Sequence, residues 1–149
     1  MSLDADLMGP RAGWRLGQLV KRLDQLLAAD KSEVLRKFDL TMPQYSTLAA
    51  LSASTGMSGA QLARASGVTP QTMAIILGNL EVKSLIERTP SPLHPKVLVT
   101  KLTREGRALV KKADTQVQAL EDQLADAYQE SEQAQLRSLL DRAISLLEN

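Results

Sequence analysis

In the middle of the chain the apolar residues form two short helical stripes separated by a glycine. Met73, Ile76, Leu77 and Leu80 stand at i, i+3, i+4 and i+7, the spacing of one buried helix face. Gln71, Thr72, Ile75, Gly78 and Asn79 are left on the opposite side. Upstream, Ser58 is placed to cap a first short helix with Leu62, Ala63 and Ala65 turned inward. Ser66-Gly67-Val68 breaks that helix, because Gly67 is free to take the positive φ of a helix end. Thr69-Pro70 then restarts the chain: a capping hydroxyl, followed by proline at the first helical position, where its missing N–H costs nothing. The pattern predicts a helix-turn-helix, although an ordinary αα-hairpin has the same local signature. A second helix anchored by one face and showing amides and hydroxyls on the other suits the reading of base edges in a major groove.

Beyond Leu80 the period changes. Glu81-Val82-Lys83-Ser84 closes the helix, and residues 85–89 predict a short strand. Pro90-Ser91-Pro92-Leu93-His94-Pro95 suits a loop and neither a helix nor a central strand. The β-branched run at 96–102 predicts a second strand pairing back on the first. A β-hairpin directly after a recognition helix is a wing, so 42–102 is expected to form a winged helix with a two-stranded wing.

The flanks are helical. Residues 11–38, opened by Pro10, carry Leu16, Leu19, Leu23, Leu26 and Leu27 near heptad spacing. Thr103 is placed to cap another long helix, with Leu109, Ala113, Val117, Leu120 and Leu124 as its stripe. Ser131 is placed to cap a last one, with a seam of Leu136, Leu139, Leu140, Ala143, Leu146 and Leu147. A small winged helix cannot bury all of these. Bundling within the chain is one outlet, but three long amphipathic helices at the two termini favour an obligate two-fold dimer. The expected architecture is mainly α: a single unit over 1–149, with 11–38 and 104–148 as dimerisation helices around the winged-helix core.

Several short pieces occur in order: Leu40-Thr41-x-Pro43-Gln44, Leu62-Ala63, Val68-Thr69-Pro70-Gln71-Thr72, Leu80-Glu81, Leu85-Ile86-Glu87-Arg88 and Leu102-Thr103-x-x-Gly106. In this order and spacing the chain resembles the multiple-antibiotic-resistance regulator (MarR) family. In length and flanking helices the match extends over nearly the whole chain. The resemblance implies a dimeric bacterial or archaeal transcription regulator, usually a repressor, often released from DNA by a small aromatic or phenolic ligand or by oxidation. Two departures stand out. The family wing commonly carries Asp-x-Arg eight and six positions before the Leu of its Leu-Thr, where this chain has His94 and Lys96. Its recognition helix often carries Arg at the position of Ile75 and charged residues at those of Gly78 and Asn79. Backbone attraction weaker than is typical of the family is expected.

On this reading the 69–80 helix enters a major groove, with Gln71 and Thr72 nearest the bases and Thr69 and Ile75 beside them. Ser58 and Arg64 are the expected phosphate contacts, and Lys96 lies toward an adjacent minor groove. The resemblance also implies an effector pocket between the dimerisation helices and the winged helix, with Trp14 and Tyr45 as candidate lining residues. A large flat ring near a helix start at a domain junction can stack a planar ligand, which favours Trp14. Tyr45 and Phe38 equally suit a core role joining the first two helices. The expected partners are double-stranded DNA, a second copy of the chain and a small aromatic or phenolic effector. Two alternatives compete: a winged-helix module for a protein partner with weak or no DNA binding, which Ile75 and the missing wing arginine favour, and a constitutive DNA binder without an effector.

Composition narrows the classes. At 149 residues the chain is one domain-sized unit, and 3% aromatic content suits a helical interior packed with Leu and Ala. No window approaches the ~20 apolar residues of a membrane span, and the N-terminus lacks the apolar core of a secretory signal. A cytoplasmic location is the expectation. The absence of cysteine removes thiolate metal sites, disulfides and cysteine-based peroxide sensing. The net charge of +1 hides an uneven distribution. Residues 42–104 hold six basic against two acidic side chains, whereas 105–149 hold five against nine, as expected if only the middle faces phosphates. The single histidine, His94, lies in a Pro-flanked loop with no Cys or carboxylate near it in sequence. No metal-ligand spacing or phosphate loop occurs, so neither an enzyme nor a cofactor is expected.

Overall fold

The computed structural model describes residues 15–148. Its elements run α1 (Leu16–Arg36), α2 (Met42–Ser52), β1 (Met57–Ser58), α3 (Gly59–Ser66), α4 (Pro70–Val82), β2 (Ile86–Pro90), β3 (Leu98–Leu102), α5 (Arg104–Ala125) and α6 (Glu130–Leu147).

Helix starts follow local capping chemistry. At α2 the Gln44 amide donates to the Thr41 hydroxyl oxygen at 3.3 Å, and the Thr41 amide donates to Gln44 Oε1 at 3.1 Å. Ser58 and Gln61 make the same reciprocal pair at α3, at 3.2 and 2.9 Å. Thr69 accepts from the Thr72 amide at 3.1 Å at the start of α4, directly ahead of Pro70. Between α3 and α4 Gly67 takes φ 64 and ends α3. The last helix corrects one expectation: α6 starts at Glu130, not after Ser131, because the Gln129 amide donates to the Glu132 carboxylate at 2.8 Å and closes the turn two residues earlier.

The sheet has three antiparallel strands in the order β1–β3–β2, one more than the hairpin that the pattern predicts. Ile86 stands opposite Leu102 and Pro90 opposite Leu98, while Met57 stands opposite Thr100. Pro90 is tolerated because β2 is an edge strand. β3 begins at Leu98 and not at residue 96, since the Val97 amide turns back to the His94 carbonyl at 2.8 Å. Lys96 therefore belongs to the wing's turn.

Leu48, Leu51, Leu62, Met73, Leu77 and Leu80 form the fully buried centre, joined by Leu35 from α1 and by Val110, Ala113 and Val117 from α5. The stripe on α4 is buried as its spacing requires. On α3, Leu62 and Ala63 face inward but Ala65 is exposed, being about 200° further round the helix than Ala63. Phe38 and Tyr45 are half-buried against this core. The outer helices differ from α5: α6 has no buried residue, and Leu16, Leu19, Val20, Leu23 and Leu26 of α1 are all exposed.

Candidate nucleic-acid interface

Burial of Met73, Ile76, Leu77 and Leu80 turns the other side of α4 outward, so Gln71, Thr72, Ile75 and Asn79 are exposed and Gly78 is half-buried. The first turn of this face is ordered by its cap. Thr69 Oγ1 donates to Thr72 Oγ1 at 3.0 Å while accepting from the Thr72 amide, which leaves the Thr72 hydroxyl hydrogen free to donate outward. Ile75 is 67% exposed among the polar Gln71, Thr72 and Asn79.

Ser58 is half-buried at the start of α3, its oxygen engaged as a cap acceptor and its hydrogen available. Arg64 is exposed in the last turn of α3. Lys96 is exposed at the wing tip, whose turn is held by the Ser91 amide donating to the Val97 carbonyl at 2.7 Å. Arg64, Lys96, Lys101 and Arg104 form no ion pair among the described residues, so their charge is open to an external anion. The structure thus gives Gln71, Thr72 and Ile75 one continuous face, with open cations on separate elements: α3, the wing and the start of α5.

Lys83 is basic but committed elsewhere. Its ammonium pairs with the Asp39 carboxylate at 3.2 Å, donates to the Asp39 carbonyl and reaches Gln44 Oε1 at 3.4 Å. It ties the end of α4 to the junction of α1 and α2. Arg88 is half-buried on β2, and its Nε has no acceptor. No local signal in the sequence separates these two cations from the exposed ones.

Of the two candidate effector residues, Trp14 lies outside the described residues. Tyr45 donates its hydroxyl to Asp114 Oδ1 at 2.6 Å, bridging α2 and α5. Burial first, then this hydrogen bond, then the charges of Asp114 and Glu121 push the phenol well above its ordinary range. Glu121 is itself paired with Lys31 of α1. Two grooves border α2. One of about 470 Å³ is lined by Met42, Ser46, Val68 and Ile76 among others, and one of about 500 Å³ by Arg36, Asp39 and Lys83 among others. Tyr45 lines neither. Among the described residues no cluster of His, Asp and Glu could hold a metal ion, and no helix is long and apolar enough to cross a membrane.

Known proteins share this arrangement. Residues 38–94 match a family model described as MarR family. The HTH-type transcriptional repressor Rv2887 of Mycobacterium tuberculosis is 34% identical over 127 residues, covering 85% of this chain and 91% of the relative. The structure is similar to that of the Staphylococcus aureus MepR–DNA complex, with a TM-score of 0.82, 26% identity, and coverage of 89% of this chain and 98% of that one. Rv2887 in complex with DNA gives a TM-score of 0.72 at 32% identity, covering 87% and 97%. Rv2887 in complex with p-aminosalicylic acid gives 0.69 at 33%, covering 87% and 98%. Kinship at this level, running through the helix-turn-helix, the wing and the long flanking helices, makes this chain a member of the MarR family.

Proposed function

We propose that the chain is a DNA-binding transcription repressor that acts as a homodimer on a pseudopalindromic operator in the cytoplasm. The observation that carries this reading is α4, a capped helix locked by one buried stripe, which holds Gln71, Thr72 and Ile75 outward on a rigid base. Preorganised side chains of this kind suit base edges, while Arg64 on α3 and Lys96 on the wing suit phosphates and the minor groove. Ser58 offers a further hydroxyl for a phosphate, and Thr69 orders Thr72. The relatives' complexes with DNA support the same assignment.

The apolar rows on α1 and α6 support the dimer. Leu147 is 85% exposed and Leu16 77%, at the two ends of the described chain, and such rows need a partner surface. A two-fold dimer then spaces two α4 helices about one turn of DNA apart. For the effector, a small aromatic acid of the class bound by Rv2887 is the proposed release signal, with Tyr45 and Trp14 as candidate contacts.

An electrophoretic shift with DNA from upstream of the chain's own gene, run at two salt concentrations, tests the reading. A sequence-dependent shift that survives the higher salt is expected. No shift at either concentration would favour the alternative that Ile75 and the lysine in place of arginine at 96 suggest, a winged-helix module for a protein partner.

A further inference from the structure

The exposed row of α4 contains no cation. Over Pro70–Val82 the one charged residue is Glu81, and the exposed positions include the amides of Gln71 and Asn79, the Thr72 hydroxyl and the alkyl groups of Ala74, Ile75 and, in the last turn, Val82. Guanine shows two acceptors in the major groove, O6 and N7, which are met best by the fork of an Arg or by a Lys. This helix supplies neither. Adenine shows an acceptor beside a donor, which the two ends of a Gln or Asn amide match. Thymine shows O4 and a C5 methyl, an apolar contact point in the groove.

Ile75 is the apolar counterpart on the protein side. Folding does not account for it, because two-thirds of its surface is open. Helix propensity does not account for it either, since Gln, Lys or Arg would serve better at an exposed helical site. Its β-branch fixes χ1 in a helix, so it presents a stiff apolar knob with little ordering left to lose. Gly78 follows one turn later on the same side, where an added Cβ would meet nothing within 4 Å. Nothing inside the protomer requires a glycine there, and it weakens the helix relative to alanine. A missing side chain beside an exposed apolar one lets the backbone approach the groove floor closely.

We infer that α4 reads A·T pairs, with Ile75 covering a thymine methyl and Gln71 taking an adenine edge. This deepens the DNA-binding reading above and rests on it. Gln71 and Ile75 are four residues apart, roughly 6 Å along the helix axis, about two 3.4 Å steps of a DNA strand. Both recognised pairs therefore lie within one half-site, close to one another.

The experiment starts with selection of binding sequences from a random duplex pool by the full-length protein. In the best site each thymine is then replaced singly by deoxyuridine, which removes only the methyl group, and affinity is measured by fluorescence anisotropy at one fixed salt concentration. The expected result is recurrent A·T pairs in each half-site, at least one of which binds roughly three- to fivefold more weakly as uracil, the worth of one buried methyl. That penalty should vanish in Ile75→Ala, a change that favours the helix and whose folding circular dichroism verifies. Ile75→Arg should shift the selected pair toward G·C. Recurrent G·C pairs with the unaltered protein, or an equal uracil penalty in Ile75→Ala, would overturn the methyl reading and leave DNA binding intact. Failure to enrich any sequence, with no affinity for any duplex, would overturn the reading on which it rests.

Discussion

The Thr103 hydroxyl donates to the Ser84 carbonyl at 2.7 Å and accepts from the Gly106 amide at 3.0 Å. One side chain thus fastens the turn after α4 to the start of α5. Ser84 sits in the left-handed region at φ 59, and the Thr103 amide donates to the Leu85 carbonyl at 3.1 Å. Gly106 packs directly on that segment: an added Cβ would stand 1.9 Å from the Leu85 carbonyl oxygen. Loss of the cap in Thr103→Ala should cost about 1–2 kcal/mol. Gly106→Ala must push α5 away from Leu85 and should cost about 1–3 kcal/mol or more. Urea unfolding of both variants is the check, and a neutral Gly106→Ala would show that this contact is soft.

Gln71 is exposed in the first turn of α4, where an amide can meet both groups of an adenine edge. Gln71→Ala should lose about 1–3 kcal/mol on the best operator and much less on random DNA. Titrations on both duplexes decide the point. Equal losses would assign Gln71 to the backbone.

Lys96 stands on the wing's turn without an ion-pair partner among the described residues. A lysine acts as a flexible point charge, so Lys96→Ala should weaken specific and non-specific DNA by similar factors. The slope of log affinity against log salt should fall by about one unit, as one fewer counterion is released. Lys96→Arg should bind more tightly, most of all where an A-tract lies outside the half-site. An unchanged slope in Lys96→Ala would mean that the wing does not touch DNA.

The leucines of α6 are all exposed within their own protomer. Deleting residues 132–149 removes Leu136, Leu139, Leu140 and Leu147 and should give monomer or aggregate by sedimentation, with operator binding lost. A truncated chain that sediments as a dimer and still binds would place the interface on other helices.

Tyr45 links stability to alkaline pH. Burial and the bond to Asp114 raise its folded-state pKa above the unfolded value near 10. The folded state therefore holds the phenol proton more tightly, and this contribution is complete below pH 10. It is lost as pH rises through about 10 and beyond. Denaturation midpoints between about pH 9 and 11 should fall more steeply for the unaltered protein than for Tyr45→Phe. Identical profiles would show that the phenol has no differential proton affinity.

Features set within a few residues were legible along the chain. The caps at Ser58, Thr69 and Thr103, the left-handed Gly67 and the stripe Met73, Ile76, Leu77 and Leu80 all depend on neighbours no more than one or two helical turns away. The same is true of the exposed row of α4, which is the complement of its buried stripe. Short range also limits such reading. Ala65 looks inward if every apolar residue is counted, but the direction of a two-turn helix is set by what packs against it. Ser131 looks like a cap until Glu132 is seen to close on the Gln129 amide.

What only the tertiary structure decided are pairings between distant residues. Lys83 meets Asp39 across 44 positions and Tyr45 meets Asp114 across 69, so neither partner is marked by spacing. The two-residue strand Met57–Ser58 has no pattern of its own and exists because β3 offers an unpaired edge. The fold likewise separates the cations tied to another element, such as Lys83, from those left open, such as Arg64 and Lys96. Sequence alone determined the helix-turn-helix, the wing and the face that α4 presents, because caps and periodicity are local free energies. Tertiary structure decided which charges and apolar rows remain unpartnered, because burial is a property of the packed chain and not of any one segment.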